Sequence, residues 1–115
     1  MITLTGFTAV GFFLFIHWIA DFVLQSDEMA MKKSTESRWL LLHCVVYGVF
    51  MCAAANFNWQ FGLFMFLTHA LIDGVSSQVN KYLWEKKEVH YFFVSIGFDQ
   101  WLHMMCIFVG LKYLT

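Results

Sequence analysis

The chain contains no proline, so nothing in its sequence forces a helix to break or kink. Charge is scarce: 13% of the residues are Asp, Glu, Lys or Arg, against roughly 25% in an average soluble domain. The charges nearly cancel, at a formal −1, and a chain without basic excess lacks the electrostatic footprint of a nucleic-acid binder. Cysteines are few and odd in number; Cys44, Cys52 and Cys106 all lie inside apolar runs. That excludes a disulfide framework and marks them as small packing residues. No basic segment precedes the first apolar run and no small-residue cleavage site follows it, so this run is expected to stay as a span and not to be removed as a signal peptide. There is no sign of a soluble domain, a low-complexity tract or a linker.

What is abundant is apolar surface. Of 115 residues, 60% are hydrophobic and 20% aromatic, more than a single small domain can hide from water. Much of the chain must therefore face lipid. Residues 1–20 carry no charge, and Trp39 to Ile72 form a second uncharged run. That run is too long for one helix and is divided at Asn56, Asn58 and Gln60, which read as a tight hairpin. With about 20 apolar residues needed per crossing, spans are expected over 4–24, 39–55, 59–79 and 91–114. They form one integral membrane domain over 1–115, all-α, a four-helix transmembrane bundle. The third span continues as an amphipathic helix through Gly74 to Trp84. Charged loops are expected at 25–38, part of which suits an interfacial helix, and at 78–90. These loops hold Lys32, Lys33, Arg38, Lys81, Lys86 and Lys87, against Lys112 alone on the other side. The bias puts both loops in the cytoplasm, with the hairpin at 56–60 and both termini outside.

Within these apolar segments lies a recurrent polar pattern. His17, Asp21 and Gln25 are spaced four apart and share one helix face. His69 and Asp73 repeat the spacing, Asp99 and His103 reverse it, and His43 stands alone on the second span. In the expected topology all seven His and Asp side chains fall in the cytoplasmic half of the membrane. Imidazole and carboxylate are ligands for zinc, manganese or iron, and bundles build such sites from facing helices. Four His and three Asp exceed the needs of one structural ion. The surplus suits two metals, or one metal with outer carboxylates orienting its histidines. His17, Asp21, His43, His69, Asp73, Asp99 and His103 are the candidate ligands, and Asp21, Asp73 and Asp99 the candidate proton acceptors. Gln25, Lys33, Tyr47, Thr68, Ser77, Lys81 and Gln100 are candidates for orienting ligands or holding substrate. Lys33 and Lys81 bring the positive charge a phosphate-bearing substrate wants. Two other readings use the same residues: internally neutralised His–Asp struts, and a proton or ion pathway. The outer half of the spans offers a pathway few polar groups.

The segments H-W-I-A-D-F-V-L-Q (His17 to Gln25), T-H-A-L-I-D (Thr68 to Asp73) and D-Q-W-L-H (Asp99 to His103) resemble a family of small multi-span bacterial and phage membrane proteins, a domain of unknown function. His43, Lys33 and Lys81 also fall where such proteins place a histidine and lysines. More distantly, the H-x-x-x-D theme is similar to membrane-bound metal-dependent hydrolases. The resemblance implies a bacterial inner (plasma) membrane. The expected function is divalent-metal-dependent hydrolysis of a lipid-borne or phosphorylated substrate, with one or two ions, zinc or manganese, as cofactor. A bound divalent ion makes a water acidic enough to attack near neutral pH, and a nearby aspartate accepts its proton. The alternatives are a non-catalytic protein that binds and modulates another membrane complex, and a metal or proton carrier. The expected partners are the bilayer and either a second copy or another membrane protein; nucleic acid is excluded.

Overall fold

Among the described residues every regular element is helical. A computed structural model describes residues 6–115; the expected start of the first span at residue 4, with Thr5, lies outside the described residues. Helix α1 (Gly6–Trp18) runs directly into a π-helical turn at Ile19–Val23, followed by the short α2 (Asp27–Lys32), α3 (Ser37–Ala54), α4 (Trp59–Glu85) and α5 (Val89–Leu114). Helix α3 packs on α4, α4 on α5, and α1 touches both α3 and α5, while α2 lies against α3.

Local chemistry sets the boundaries. The Ser26 hydroxyl accepts from the Met29 amide and starts α2, whose first turn carries Asp27 and Glu28 and whose last carries Lys32. Each charge thus opposes the helix dipole end it faces. Between α3 and α4 the chain reverses in a turn where Asn56 and Phe57 take φ of 57° and 61°, a region that asparagine tolerates and phenylalanine resists. Asn58 anchors this turn twice. Its Oδ1 accepts from the Phe61 amide at 3.0 Å, and its Nδ2 donates to the Leu114 carbonyl at 2.8 Å at the far end of the chain. The close approach of α3 to α4 depends on Gly62, where a Cβ would lie 2.5 Å from Cys52 Cβ.

Burial follows the four-residue period on each long helix. Helix α4 buries Phe61, Met65, His69, Asp73 and Ser77; α5 buries Asp99, His103, Ile107 and Gly110; α3 buries His43, Tyr47 and Met51 among others. The core accordingly has an apolar half, Phe13, Met51, Phe61, Met65 and Ile107, and a polar half made of histidine and aspartate. The outside is the reverse: Leu41, Val45 and Val49 of α3, Leu63, Leu67, Leu71 and Val75 of α4, and Phe98 and Trp101 of α5 are exposed. Charge inside and hydrocarbon outside is the arrangement of a membrane protein.

Among the described residues three segments, Gly6–Val23, Ser37–Ala54 and Val89–Leu114, are long and apolar enough to cross a membrane. The expected four reduce to three on this measure because α4, though 27 residues long, carries Gln60, His69 and Asp73 in its apolar part. The charged stretch expected at 78–90 is mostly helix, in line with the expected continuation of α4 through Trp84. Residues 78–85 continue α4, and only Lys86–Glu88 link it to α5. A helix satisfies its backbone internally whatever its side chains, so charge marks where a segment meets water and not where it ends.

Candidate metal centre

Four helices bring their polar groups to one place. From α1 and its π turn come His17 and Asp21; from α3, His43 and Tyr47; from α4, His69 and Asp73; from α5, Asp99, Gln100 and His103. None of the histidines and aspartates is more than 7% exposed. The i,i+4 pairs stay within reach on their own helices: His69 and Asp73 at 3.3 Å, His103 and Asp99 at 3.3 Å, and His17 and Asp21, across the π turn, at 3.7 Å.

At the centre are four atoms: His43 Nε2, His69 Nε2, Asp21 Oδ1 and Asp73 Oδ2. His43 Nε2 is 3.0 Å from the Asp21 oxygen and 3.2 Å from the Asp73 oxygen. His69 Nε2 is 3.3 Å from each. The two ring nitrogens are 3.0 Å apart. A tetrahedral zinc with bonds of about 2.0–2.1 Å places its ligand atoms roughly 3.3–3.4 Å from one another, close to these separations. Hydrogen bonds alone fit less well. If both nitrogens donate to the carboxylates, two N–H groups face each other at the His43–His69 contact. If one nitrogen accepts from the other, its lone pair faces two carboxylate oxygens. A cation among the four atoms removes the conflict, because all four then present lone pairs.

Asp21, Asp99 and His103 form an adjoining group of potential donors that shares Asp21 with the first. Asp73 also reaches toward it, with His103 Nε2 at 3.2 Å from its Oδ1. The charge balance points the same way. Three buried carboxylates face one ammonium, Lys33, whose Nζ donates to Asp73 Oδ2 at 3.0 Å. With neutral imidazoles two negative charges remain, each costing several kcal/mol if left unpaired away from water; one divalent cation offsets both.

Around the donors runs an orienting chain. Tyr47 donates its hydroxyl to His17 Nδ1 at 2.8 Å, and His17 Nε2–H donates to Gln100 Oε1 at 2.8 Å. The Gln100 amide then donates to Asp21 Oδ2 at 3.2 Å and Asp99 Oδ2 at 3.0 Å. Ser76 holds the other oxygen of Asp99 at 2.6 Å. The Tyr47 ring stacks on His69 at 3.9 Å and His69 on His103 at 4.2 Å, which fixes the planes of the imidazoles.

The sequence candidates thus separate. Asp21, His43, His69, Asp73, Asp99 and His103 stand in the two donor groups. His17 stands outside both, since each of its nitrogens is taken by a neighbour; it orients Gln100. Lys33, Tyr47 and Gln100 touch the cluster directly. Ser77 is buried one turn beyond Asp73 with its hydroxyl unpaired, and Gln25 Oε1 is likewise buried and unpaired. Thr68 turns back on its own helix, donating to the Phe64 carbonyl at 2.9 Å, so it takes no part. Lys81 is exposed and makes no contact with the donors. Ser76 is the residue that spacing missed: a four-residue ladder from Asp73 selects Ser77, whereas Asp99 approaches the neighbouring face of α4.

Comparison with known proteins adds a family and no activity. One family model, described as a protein of unknown function (DUF3307), matches residues 10–115. No curated protein and no solved structure matches the chain.

Proposed function

The chain belongs to the DUF3307 family of proteins of unknown function, and from that premise we propose, on the strength of its buried site, a four-span membrane hydrolase that works with divalent metal. In this reading α4 is the fourth span: Leu63, Leu67, Leu71 and Val75 give it an exposed apolar ridge, while its histidine and aspartate point inward. The basic ends of the helices, with α2, lie on the cytoplasmic face of a bacterial inner membrane, and both termini lie outside.

The observation that carries the proposal is the pair of adjoining donor groups, one of four residues and one of three, sharing Asp21. A closed four-donor set is the structural form of a zinc site, and a three-donor set leaves room for a reactant. Zinc or manganese held there would supply Lewis acidity toward a phosphoryl or acyl oxygen. The rest is the work of the chain. Gln100 and Ser76 hold the Asp99 carboxylate in position, and Asp99, on the less filled side, accepts the proton of the attacking water. Lys33 offsets the negative charge of Asp73. The stacked rings of Tyr47, His69 and His103 keep the donors from turning away. The substrate is lipid-borne or phosphorylated.

A second reading rests on the four-donor group alone. Filled by side chains on every position, it would make the protein a rigid, non-catalytic module that binds another membrane complex. The deciding experiment is elemental analysis of the purified full chain in detergent, followed by incubation with lipid extracts and phosphoesters. Chelator-sensitive product is expected. It should be abolished in Asp21→Asn and Asp99→Asn, which fail together as parts of one unit, and retained in Leu63→Ala. Tightly held metal without product would favour the module; absence of metal would refute both.

A further inference from the structure

A cavity of about 550 Å³ lies next to the metal centre, walled by α2, the last two turns of α4 and the first turn of α5. Two features connect it to the cluster. Ser77, on its floor, is the next residue after Asp73 in the buried ladder of α4. Lys33, in its wall, reaches out of it to Asp73 Oδ2 at 3.0 Å. The cavity is lined by two lysines, Lys33 and Lys81, and by no carboxylate. Two of its lining residues, Ser77 and Asn80, each carry a buried polar atom with no partner, Ser77 Oγ and Asn80 Oδ1. Ser77 is only 7% exposed, and a hydroxyl so deeply buried without a partner costs on the order of 1–3 kcal/mol unless a ligand or water completes it. Apart from Ser34, the remaining wall is apolar and aromatic: Trp84 packs on Phe92 with ring centres 5.0 Å apart, and Trp84 is 59% exposed.

We propose that this cavity binds the headgroup of a phosphate-bearing amphiphile, with the phosphate between Lys33, Lys81 and Ser77 and the chain running out over Trp84 and Phe92. The Lys81 ammonium and the Ser77 hydroxyl supply donors that a phosphate accepts, and Lys33, held on Asp73, adds positive charge at the wall. The Asn80 carboxamide, free to present either end by rotation about its last bond, completes the headgroup contacts. The open aromatic wall is what a single acyl or alkyl chain covers, and no free phosphate uses it. This assignment rests on the hydrolase reading and narrows its substrate to phosphoester amphiphiles, which arrive beside Asp73 through the Lys33 wall.

The test is binding in the presence of chelator, so that it does not depend on metal or turnover. The full chain in maltoside micelles is titrated with dodecyl phosphate, inorganic phosphate and dodecyltrimethylammonium, with tryptophan fluorescence, compared with that of Trp84→Phe, and calorimetry as readouts. Dodecyl phosphate should saturate one site, and Lys81→Gln and Ser77→Ala should each weaken it about tenfold, the worth of one charge-assisted contact. Lys81 is exposed, so its variant folds whatever the fate of Ser77→Ala. Inorganic phosphate should bind at least about tenfold more weakly, since it leaves the aromatic wall uncovered. Equal binding of inorganic phosphate would overturn the amphiphile. Equal binding of the cationic amphiphile, or an unchanged affinity in Lys81→Gln, would overturn the phosphate site. Saturable dodecyl phosphate binding by a protein that hydrolyses nothing would leave the pocket standing and remove the hydrolase. Hydrolysis of other substrates without such binding would do the reverse.

Discussion

Asp73→Asn is the most informative single change. Asp73 is 2% exposed, and its two oxygens meet His43, His69, His103 and Lys33 within 3.3 Å. Asparagine has the same shape, so packing is preserved and the loss is one of charge and donor strength. If the wild-type chain binds a divalent ion, adding that ion at a hundred times its Kd stabilises the fold by about 2.7 kcal/mol. At roughly 4 °C per kcal/mol for a chain of this size, its Tm rises by about 10 °C. Removing an outer residue of a metal site costs 10–100-fold in affinity, and removing a donor costs at least the upper figure, about 100-fold. At the same metal concentration the variant is then only half occupied and gains about 0.4 kcal/mol, a shift of roughly 2 °C. The assay is thermal unfolding in detergent, followed by tryptophan fluorescence, with zinc and manganese titrated against chelator. Leu63→Ala, on the exposed ridge of α4, should keep the full wild-type shift. A full shift in Asp73→Asn would refute the assignment of Asp73 as a donor. No shift in the wild type would leave the cluster as a set of His–Asp struts.

Gln100→Ala removes the amide that holds Asp21 and Asp99 and should weaken metal binding 10–100-fold without abolishing it, as measured by calorimetry. Lowering the pH should weaken wild-type metal binding, because the ligands must be deprotonated to bind; titrations in buffers of different ionisation enthalpy should show protons released on uptake. Single cysteines at Asn58 and Lys86, in a background lacking Cys44, Cys52 and Cys106, should label from opposite faces of sealed vesicles; labelling from one face would contradict the four-span arrangement. Gly62→Ala forces a Cβ to within 2.5 Å of Cys52 Cβ and should cost about 1–3 kcal/mol of stability by overpacking, visible as a lowered Tm with metal stoichiometry unchanged.

The helical class and the meeting of His17, Asp21, His43, His69, Asp73, Asp99 and His103 could be read from spacing, because a four-residue period is a property of one helix and buried charge requires company. What spacing could not carry was the relation between helices. Whether Ser76 or Ser77 serves Asp99 depends on how α5 is rotated against α4. Whether His17 is a ligand depends on Tyr47 and Gln100, which occupy its two nitrogens from other helices. The continuation of α4 past Gly74 to Trp84 was legible as an amphipathic pattern, and the helix ends at Glu85; only the charged-loop bounds at 78–90 reached too far back, because charge at Lys81 and Glu85 marks water and not a break in the helix. The cavity beside Ser77 was invisible for a similar reason, since it is bounded by α2, a short helix whose position against the others no periodicity reports.

The π turn at Ile19–Val23 gives α1 a property that no list of its side chains reveals. Here the backbone closes wider rings, with the Leu24 amide bonding to the Ile19 carbonyl, and turns like this commonly arise from one extra residue inside an α-helix. The geometry of His17 relative to Asp21 is therefore stored as a count of residues. Deleting Ile19, whose own side chain takes no part in the cluster, would rotate everything before it by about 100° and draw it in by about 1.5 Å. His17 would swing away from Tyr47 and Gln100 although every polar group was still present. Along this segment the protein should tolerate exchange of its outward-facing letters, such as Trp18 and Phe22, far better than a change in their number.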